Sequence, residues 1–416
     1  MISKFITMMA RRQFSQAMQF DDGSAVSLPR GDMSPNRLLY IHVPFCESLC
    51  PYCSFNRVLF DEALCRRYFE ALREEIGIYR ERGYDFGAIY VGGGTPTVLP
   101  DELEKTLQVA GDSFSIGEIS VETNPNHLTE KNLTVLKRAG VNRLSVGVQS
   151  FDEELLRSMG RYDKYGSGSE MRKRLKDTLG YFDTLNADMI FNFPTQTAEK
   201  MKFDLDALIE TGVDQVTYYP LMVSDSTRKD VTKTLGRIDY GKEKVFYDMI
   251  VKRLSPHYCS SSAWCFSRKD AMIDEYIVNY GEYAGLGSGS IGYLGGRCYA
   301  NTFNIPEYIA RLKKKELPLM ACRRFSFQEQ VRYDFLMKLF GMELDMASLR
   351  KKYGRKYLPY LWKDIPAFMI AGGLRYNRGT LSLTDRGRYY WVIMMREFFT
   401  AVNNFRDFCL NSDRNT

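Results

Sequence analysis

The sequence predicts an α/β protein with a partial (β/α)6, TIM-like barrel and a small, mostly helical, winged-helix-like C-terminal domain. Continuous apolar runs that alternate with helical patterns are typical of parallel strands in βα units. Six units are fewer than the eight that close a barrel, so we expect the barrel to stay open. The predicted strands are Leu38–Val43, Ala88–Gly94, Ile119–Pro125, Arg143–Ser150, Ala187–Pro194 and Gln215–Met222.

Helical patterns fill the intervals between these strands, and one more follows the sixth strand. Parallel neighbours need long crossover connections, which are usually helices. The predicted helices are Asp61–Arg82, Asp101–Ala110, Thr129–Arg138, Glu170–Phe182, Ala198–Thr211 and Tyr240–Leu254.

The chain divides into three expected segments. Residues 1–36 are polar and contain glycine and proline, so we expect a loosely packed lead-in, and residues 37–300 hold the barrel with its extension. Residues 301–416 are expected to form a cap over the barrel mouth. There, Phe325–Met342 and Pro359–Ile370 read as amphipathic helices, and a strand at Thr380–Leu383 precedes an apolar helix at Tyr389–Val402.

The composition is that of an ordinary globular protein, with 44% hydrophobic and 26% charged residues. A net charge of +6 suits anionic substrates, while short Lys and Arg clusters do not indicate a nucleic-acid surface. No apolar run reaches the length of a membrane span. Nine cysteines, an odd number, favour a reducing compartment. We therefore expect a cytoplasmic protein, and we expect it to be a monomer.

The most informative stretch follows the first strand and contains Cys46, Cys50 and Cys53 in a Cys-x-x-x-Cys-x-x-Cys pattern. A zinc site would want four ligands, and a disulfide would want an oxidising compartment. Three closely spaced thiolates suit a [4Fe–4S] cluster with one iron left open, because such clusters normally take four cysteines. The open iron would then coordinate a substrate or a second cofactor.

Further motifs stand at the ends of the next strands, where function collects in barrels of this kind. The second strand ends in Gly92-Gly93-Gly94-Thr95, and glycines let a backbone approach a ligand closely. The third strand carries Glu122, which is placed to accept hydrogen bonds from ribose hydroxyls. Gln149 ends the fourth strand, and Arg161 beyond it suits bidentate capture of a carboxylate. Asp188 in the fifth strand needs a ligand or a partner if it is buried.

Together these stretches resemble the oxygen-independent coproporphyrinogen III oxidase family of radical SAM enzymes, strongly over about residues 38–300 and more weakly beyond. The matching pieces include Tyr-Ile-His-Val-Pro-Phe-Cys, Gly-Gly-Gly-Thr-Pro-Thr, Val-Glu-Thr-Asn-Pro and Asn-Arg-Leu-Ser-Val-Gly-Val-Gln-Ser-Phe. The resemblance implies that Cys46, Cys50 and Cys53 ligate the [4Fe–4S] cluster, whose open iron is chelated by S-adenosylmethionine (SAM). It further implies one or two SAM molecules in contact with Tyr40, Tyr52, Gly93, Gly94, Thr95, Glu122, Gln149, Arg161, Asp188, Tyr219 and Ile291.

Three departures from the family pattern bear on the activity. Coproporphyrinogen oxidases carry another cysteine two residues after the third ligand, where this chain has Phe55. The related heme chaperones carry a His-Asn-x-x-Tyr-Trp motif that residues 277–283 lack, and Asn192 replaces a usual glycine. The chain therefore resembles a divergent branch, in which known activities include radical methyl or methylene transfer and heme ring opening.

The resemblance implies an enzyme that cleaves SAM to a 5′-deoxyadenosyl radical and so modifies a tetrapyrrole or another small molecule. Oxidative decarboxylation is one expected outcome, and methyl or methylene transfer with a second SAM is the other. A flavodoxin or ferredoxin is the expected electron donor. The alternative is a heme-binding or trafficking protein on the same scaffold. A DNA-binding regulator is a third hypothesis, which the absence of a basic recognition helix disfavours.

Overall fold

The predicted apolar runs form six parallel strands in the computed structural model, which describes residues 2–22 and 28–413. The strands pair in chain order, which helical crossovers of one hand produce. Most side chains of the first two strands are buried on both faces, which is why they read as continuous apolar runs. The strands are Leu38–Val43, Ala88–Gly93, Glu118–Thr123, Arg143–Gln149, Thr184–Phe191 and Gln215–Pro220.

Capped helices connect these strands and confirm the predicted helices, with small shifts at their ends. The Asp61 carboxylate accepts a hydrogen bond from the Leu64 amide, and Ser167 and Glu170 form a reciprocal capping box. The helices that lie between the barrel strands or directly after the sixth strand are Glu62–Glu81, Pro100–Ser113, Glu130–Arg138, Glu153–Ser158, Tyr162–Tyr165, Gly168–Thr178, Ala198–Thr211, Asp225–Thr234 and Tyr240–Leu254.

The sheet continues beyond the barrel on both sides and reaches past the boundary expected at residue 300. Tyr283–Leu286 pairs in parallel with the first barrel strand, so that Gly285 lies opposite Tyr40. Ile291–Leu294, Arg297–Asn301 and Leu319–Arg324 then add in antiparallel order. At the opposite edge, Cys265–Ser267 pairs with the sixth strand and Cys259–Ser260 follows it. Short connections join the strands between residues 283 and 301, and the helix Ile305–Lys313 connects Arg297–Asn301 to Leu319–Arg324, so the sheet of the barrel continues to residue 324.

Residues 2–17 do not form the loosely packed lead-in that their polar composition predicted. They form the helix Ile2–Ala17, whose Ile6, Ala10 and Phe14 recur at four-residue spacing and pack into the main core. The Phe14 ring contacts Phe398 of the C-terminal helix edge-on, with ring centroids 5.4 Å apart. A narrow apolar stripe among polar residues was enough to make a docked helix.

The C-terminal domain combines helices with a small antiparallel sheet, as a winged-helix-like unit does. The sheet is formed by Glu343–Asp345, Leu374–Asn377 and Thr380–Leu383, with the last strand in the centre. Its helices are Phe327–Phe340, Met346–Tyr353, Leu358–Leu361, Asp364–Ile370 and Asp385–Asp413. The helix predicted at Pro359–Ile370 is thus broken into two, and the one at Tyr389–Val402 is longer at both ends. None of the helices in the described ranges is long and apolar enough to cross a bilayer.

Candidate functional site

The carboxyl ends of the barrel strands open into a cavity of about 340 Å³. Its lining includes all fourteen residues that the sequence analysis expected to contact the cluster or SAM. These are Tyr40, Cys46, Cys50, Tyr52, Cys53, Gly93, Gly94, Thr95, Glu122, Gln149, Arg161, Asp188, Tyr219 and Ile291. Residues from all six barrel strands and from the later hairpin therefore share one site, although the sequence separates them widely.

The three cysteines lie on a loop that is pinned at its base and braced from within. Two short parallel strands, Phe45–Cys46 and Val58–Leu59, close the base of the loop. Arg57 braces it, because its Nη2 donates to the carbonyl oxygens of Cys50 at 2.6 Å and Cys53 at 2.8 Å. The loop thus holds its thiols in place with its own backbone and one guanidinium.

The arrangement of these thiols fits a cluster better than a single ion. In the described part of the chain, no three His, Cys, Asp or Glu side chains come together so as to hold one metal ion. A cubane has no such requirement, since each cysteine ligates a different iron. Burial raises the pKa of Cys46 to about 11 and also raises the pKa of Cys53. Bound iron would supply the positive charge that keeps these sulfurs as thiolates.

The glycines of the second strand let its end pass directly against the cysteine loop. Gly93 adopts φ +118°, and a Cβ on Gly94 would stand 2.6 Å from the Phe45 carbonyl oxygen and 3.0 Å from the Cys46 sulfur. A side chain at Gly94 would therefore displace the loop. The Thr95 hydroxyl lies 3.8 Å from the same sulfur, close enough for a weak hydrogen bond.

Glu122 is a buried carboxylate beside this strand end. It accepts hydrogen bonds from the Tyr90 hydroxyl at 2.8 Å and from the Gly93 amide at 3.1 Å. Burial raises the pKa of Glu122 to about 7, and the nearby charge of Asp274 adds to the shift. A ligand that donates hydrogen bonds to this carboxylate would favour its ionised form.

Arg161 reaches the cysteine loop from beyond the fourth strand. Its Nη1 lies 3.8 Å from the Cys50 sulfur and 3.5 Å from the Tyr52 hydroxyl oxygen, while Nη2 donates to the Gly147 carbonyl. The buried Nε has no hydrogen-bond partner. A buried guanidinium with an unused donor is a candidate to bind an anionic group of a ligand.

Two polar residues at strand ends have backbones in the left-handed region. Gln149 has φ +73° and Asn192 has φ +69°. Asn tolerates this region better than most side chains do, which explains how it can replace the glycine usual at position 192. Backbone strain of this kind is common at ligand sites.

Asp188 belongs to a buried polar group that sequence reasoning found only in part. Ser145 donates to Asp188 at 2.7 Å, and burial together with the charge of Asp274 raises the pKa of Asp188 well above its usual range. Asp274 is ion-paired with Arg143 at 2.8 Å and accepts from the Tyr219 hydroxyl at 2.9 Å. Although burial opposes ionisation, Arg143 lowers the pKa of Asp274 to about 2. Asp274 and Arg143 were missed, because a single acid in a polar loop and an arginine opening a strand carry no spacing signal.

The C-terminal helix supplies a wall of the cavity that the sequence did not predict residue by residue. Phe398, Phe399, Val402, Asn403 and Arg406 line the cavity from this helix. The apolar character of the helix was visible in the sequence, but the direction in which this face points depends on tertiary packing.

Comparison with known proteins gives a consistent result. A profile of the radical SAM superfamily matches residues 40–208. The heme chaperone HemW of Bacillus subtilis is 28% identical over 366 residues, which cover 84% of this chain and 95% of that protein. The oxygen-independent coproporphyrinogen III oxidase of Helicobacter pylori is 24% identical over 390 residues, 86% of this chain and 85% of that one.

The fold agrees with these similarities. The structure of the coproporphyrinogen III oxidase HemN from Escherichia coli superimposes with a TM-score of 0.72 at 21% identity, covering 93% of each chain. A radical SAM domain thus occupies residues 40–208, and over most of its length the chain is similar to proteins named HemW and oxygen-independent coproporphyrinogen III oxidase.

Proposed function

We propose that this protein is a radical SAM enzyme that modifies a tetrapyrrole or another small organic molecule held in the barrel cavity. The observation that carries the proposal is the convergence of three cysteines, a glycine-rich strand end and Glu122 on one cavity. As in other radical SAM proteins, the cofactors are a [4Fe–4S] cluster and SAM. When bound, they supply an electron and a sulfonium that splits into methionine and a 5′-deoxyadenosyl radical.

The chain's own residues bind and orient these groups and keep water away. Cys46, Cys50 and Cys53 would hold the cluster, while the backbone of Gly93 and Gly94 would lie along the methionyl end of SAM. The carboxylate of Glu122 would accept hydrogen bonds from the ribose, and Arg161 would bind a carboxylate. Tyr40, Tyr52, Thr95, Gln149, Asp188, Tyr219 and Ile291 would complete the contacts to one or two SAM molecules.

The reaction outcome is one of two. Oxidative decarboxylation needs one SAM and a carboxylated substrate, whereas methyl or methylene transfer needs a second SAM as carbon donor. A flavodoxin or ferredoxin would supply the electron in either case. Product analysis by mass spectrometry separates the two, since the substrate loses about 46 mass units as carbon dioxide and two hydrogens or gains about 14 as a methylene.

The test is anaerobic reconstitution with iron and sulfide, followed by SAM and dithionite. Wild-type protein should form 5′-deoxyadenosine, and Cys50→Ala should lose both this product and most of the cluster absorbance. Cys259→Ala is the matched control, because Cys259 is exposed and lies on an edge strand away from the cavity lining. Continued formation of 5′-deoxyadenosine by Cys50→Ala would refute the assignment of the cluster ligands.

A heme-binding or trafficking protein on the same scaffold is the second candidate, and the similarity to proteins named heme chaperones favours it. Histidine chemistry does not support it. Both ring nitrogens of His42 are engaged, by Tyr40 and by the Asn56 carbonyl, and both of His127 are engaged by Thr97 and Glu47. His257 is exposed, and no histidine lines the cavity in the described part of the chain. A Soret band on heme titration, without 5′-deoxyadenosine formation, would favour this candidate.

A further inference from the structure

One face of the C-terminal helix forms a continuous stripe along the cavity. Its members are Phe398, Phe399, Val402, Asn403 and Arg406, and their spacing of three and four residues aligns them on one side of a helix. The stripe is apolar at its start and ends in a guanidinium. At a rise of 1.5 Å per residue, the phenyl rings and the guanidinium start from backbone positions roughly 10–12 Å apart.

Arg406 has no ion-pair partner among the residues that the structure describes. Its Nη1 donates to the Asn403 side-chain oxygen at 2.8 Å, but its buried Nε has no hydrogen-bond partner. Within the described ranges, no carboxylate forms an ion pair with Arg406. Burial lowers the pKa of Arg406, which is the opposite of what a paired guanidinium shows. A cation whose Nε is buried without a hydrogen-bond partner lowers the stability of the protein unless an anion binds to it.

Two other arginines line the cavity without an ion-pair partner in the described part of the chain, and each also keeps a buried nitrogen without a hydrogen-bond partner, but both lie against the cysteine loop or beside it. Arg57 donates to two carbonyl oxygens of the loop, and Arg161 lies against the Cys50 sulfur and the Gly147 carbonyl. Arg406 approaches from the C-terminal domain, and its guanidinium stands over the Phe55 ring at 5.1 Å. It is therefore the cation best placed for a molecule that lies between the barrel and the C-terminal helix.

We propose that Arg406 binds a carboxylate of the substrate while Phe398, Phe399 and Val402 pack against a flat, apolar part of the same molecule. Arginine presents a planar fork that matches a carboxylate, and a pocket of apolar walls with a few polar groups fixes the orientation of such a ligand. The substrate class is thus a conjugated or aromatic acid, which includes tetrapyrroles with carboxylate side chains. This inference rests on the proposed function, since it names the substrate of that same site.

The test compares an acid with its ester on the reconstituted protein. Coproporphyrin III and its tetramethyl ester serve as probes, and quenching of their fluorescence reports binding. Wild-type protein should prefer the acid, and Arg406→Met should weaken binding of the acid by roughly tenfold to a hundredfold, the range for a charged hydrogen bond. Binding of the ester should change by no more than about twofold, and Arg406→Lys should recover part of the preference.

Arg386→Met is the matched control, because Arg386 lies on the same helix but is exposed and does not line the cavity. Equal losses for acid and ester in Arg406→Met would overturn the inference, as would unchanged binding of the acid. So would equal wild-type affinity for the two probes, or binding of neither. A shift in the reduction potential of the cluster with an unchanged acid-to-ester ratio would instead assign Arg406 to balancing the charge of the cluster.

The result of the acid and ester binding experiment does not depend on whether the protein is a radical SAM enzyme. Wild-type protein with SAM and dithionite, without any porphyrin, either forms 5′-deoxyadenosine or does not, and this result alone decides the proposed function. A preference for the acid that depends on Arg406 supports the binding site in either case. A wild-type protein that forms 5′-deoxyadenosine but shows no such preference would sink only the substrate inference.

Discussion

Two arginines on the C-terminal helix meet opposite surroundings. Arg396 is paired with Glu243 and, at 2.9 Å, with Glu397, and the side chains of all three are at most 3% exposed. Although burial opposes the charge, these carboxylates raise the pKa of Arg396. Arg406 forms no ion pair with a carboxylate in the described ranges, and burial lowers its pKa. The first arginine therefore completes the fold, whereas the second has a charge left over for a ligand.

The pairing of Arg396 also ties three helices together. Glu243 lies on Tyr240–Leu254, and Arg11 of the N-terminal helix reaches Glu397 at 2.8 Å. The N-terminal helix, the last barrel helix and the C-terminal helix therefore meet at one buried ionic group. This group holds the C-terminal helix in the orientation that turns its cavity stripe inward.

The largest effect should follow from breaking this group. Arg396→Met leaves Glu243 buried without a cation and leaves Glu397 with Arg11 alone, so we expect the free energy of unfolding to fall by about 3–5 kcal/mol. Urea denaturation followed by circular dichroism measures it, with Arg386→Met as the exposed control, expected within about 0.5 kcal/mol of wild type. A loss below about 1 kcal/mol in Arg396→Met would show that the pair does not hold the helix.

Glu75, a buried acid without an ion pair in the described ranges, tests the same effect of burial on a group of opposite charge. Glu75 accepts hydrogen bonds from Tyr308 at 2.6 Å, the Gly287 amide at 2.8 Å and Asn301 at 2.9 Å, but it has no ion pair in the described ranges. Burial raises the pKa of Glu75 from 4.5 to about 7. The folded protein therefore keeps a proton that the unfolded chain releases near pH 4.5.

Protonated Glu75 should thus make its full contribution to the free energy of unfolding below about pH 4.5, and this contribution should be lost as the pH rises through about 7. Between these values, the free energy of unfolding of wild type should fall by roughly 3 kcal/mol relative to Glu75→Gln, whose side chain stays neutral. Urea denaturation at pH 4.5 and at pH 7.5 measures the difference. Parallel pH profiles for the two proteins would contradict the raised pKa.

The smallest effect on the free energy of unfolding should come from replacing Arg406. Arg406→Met removes a half-buried cation and leaves no described carboxylate without its partner, so we expect the free energy of unfolding to stay within about 1 kcal/mol of wild type. The same denaturation experiment measures it on the same day as Arg396→Met. A loss as large as that of Arg396→Met would mean that Arg406 also completes the fold, and the comparison would fail.

Most of the barrel could be predicted because its strands and the motifs at their ends are marked by residues that lie close together in the sequence. Continuous apolar runs marked the six strands, and the carboxyl ends of parallel strands meet at one edge, so motifs at those ends had to share a site. Asp274 could not be predicted in the same way. It stands in an irregular loop with no periodic pattern, and only the fold brings it to Arg143 of the fourth strand.

The sequence alone determined the barrel strands, the cysteine loop and the motifs that surround it, because each depends on the order and spacing of residues along the chain. The tertiary structure decided which side of the C-terminal helix faces the cavity. It also decided which of two similar arginines finds carboxylates and which does not. The physical reason is that the charge state of a buried group depends on neighbours brought together by folding, and their distance along the chain carries no record of that.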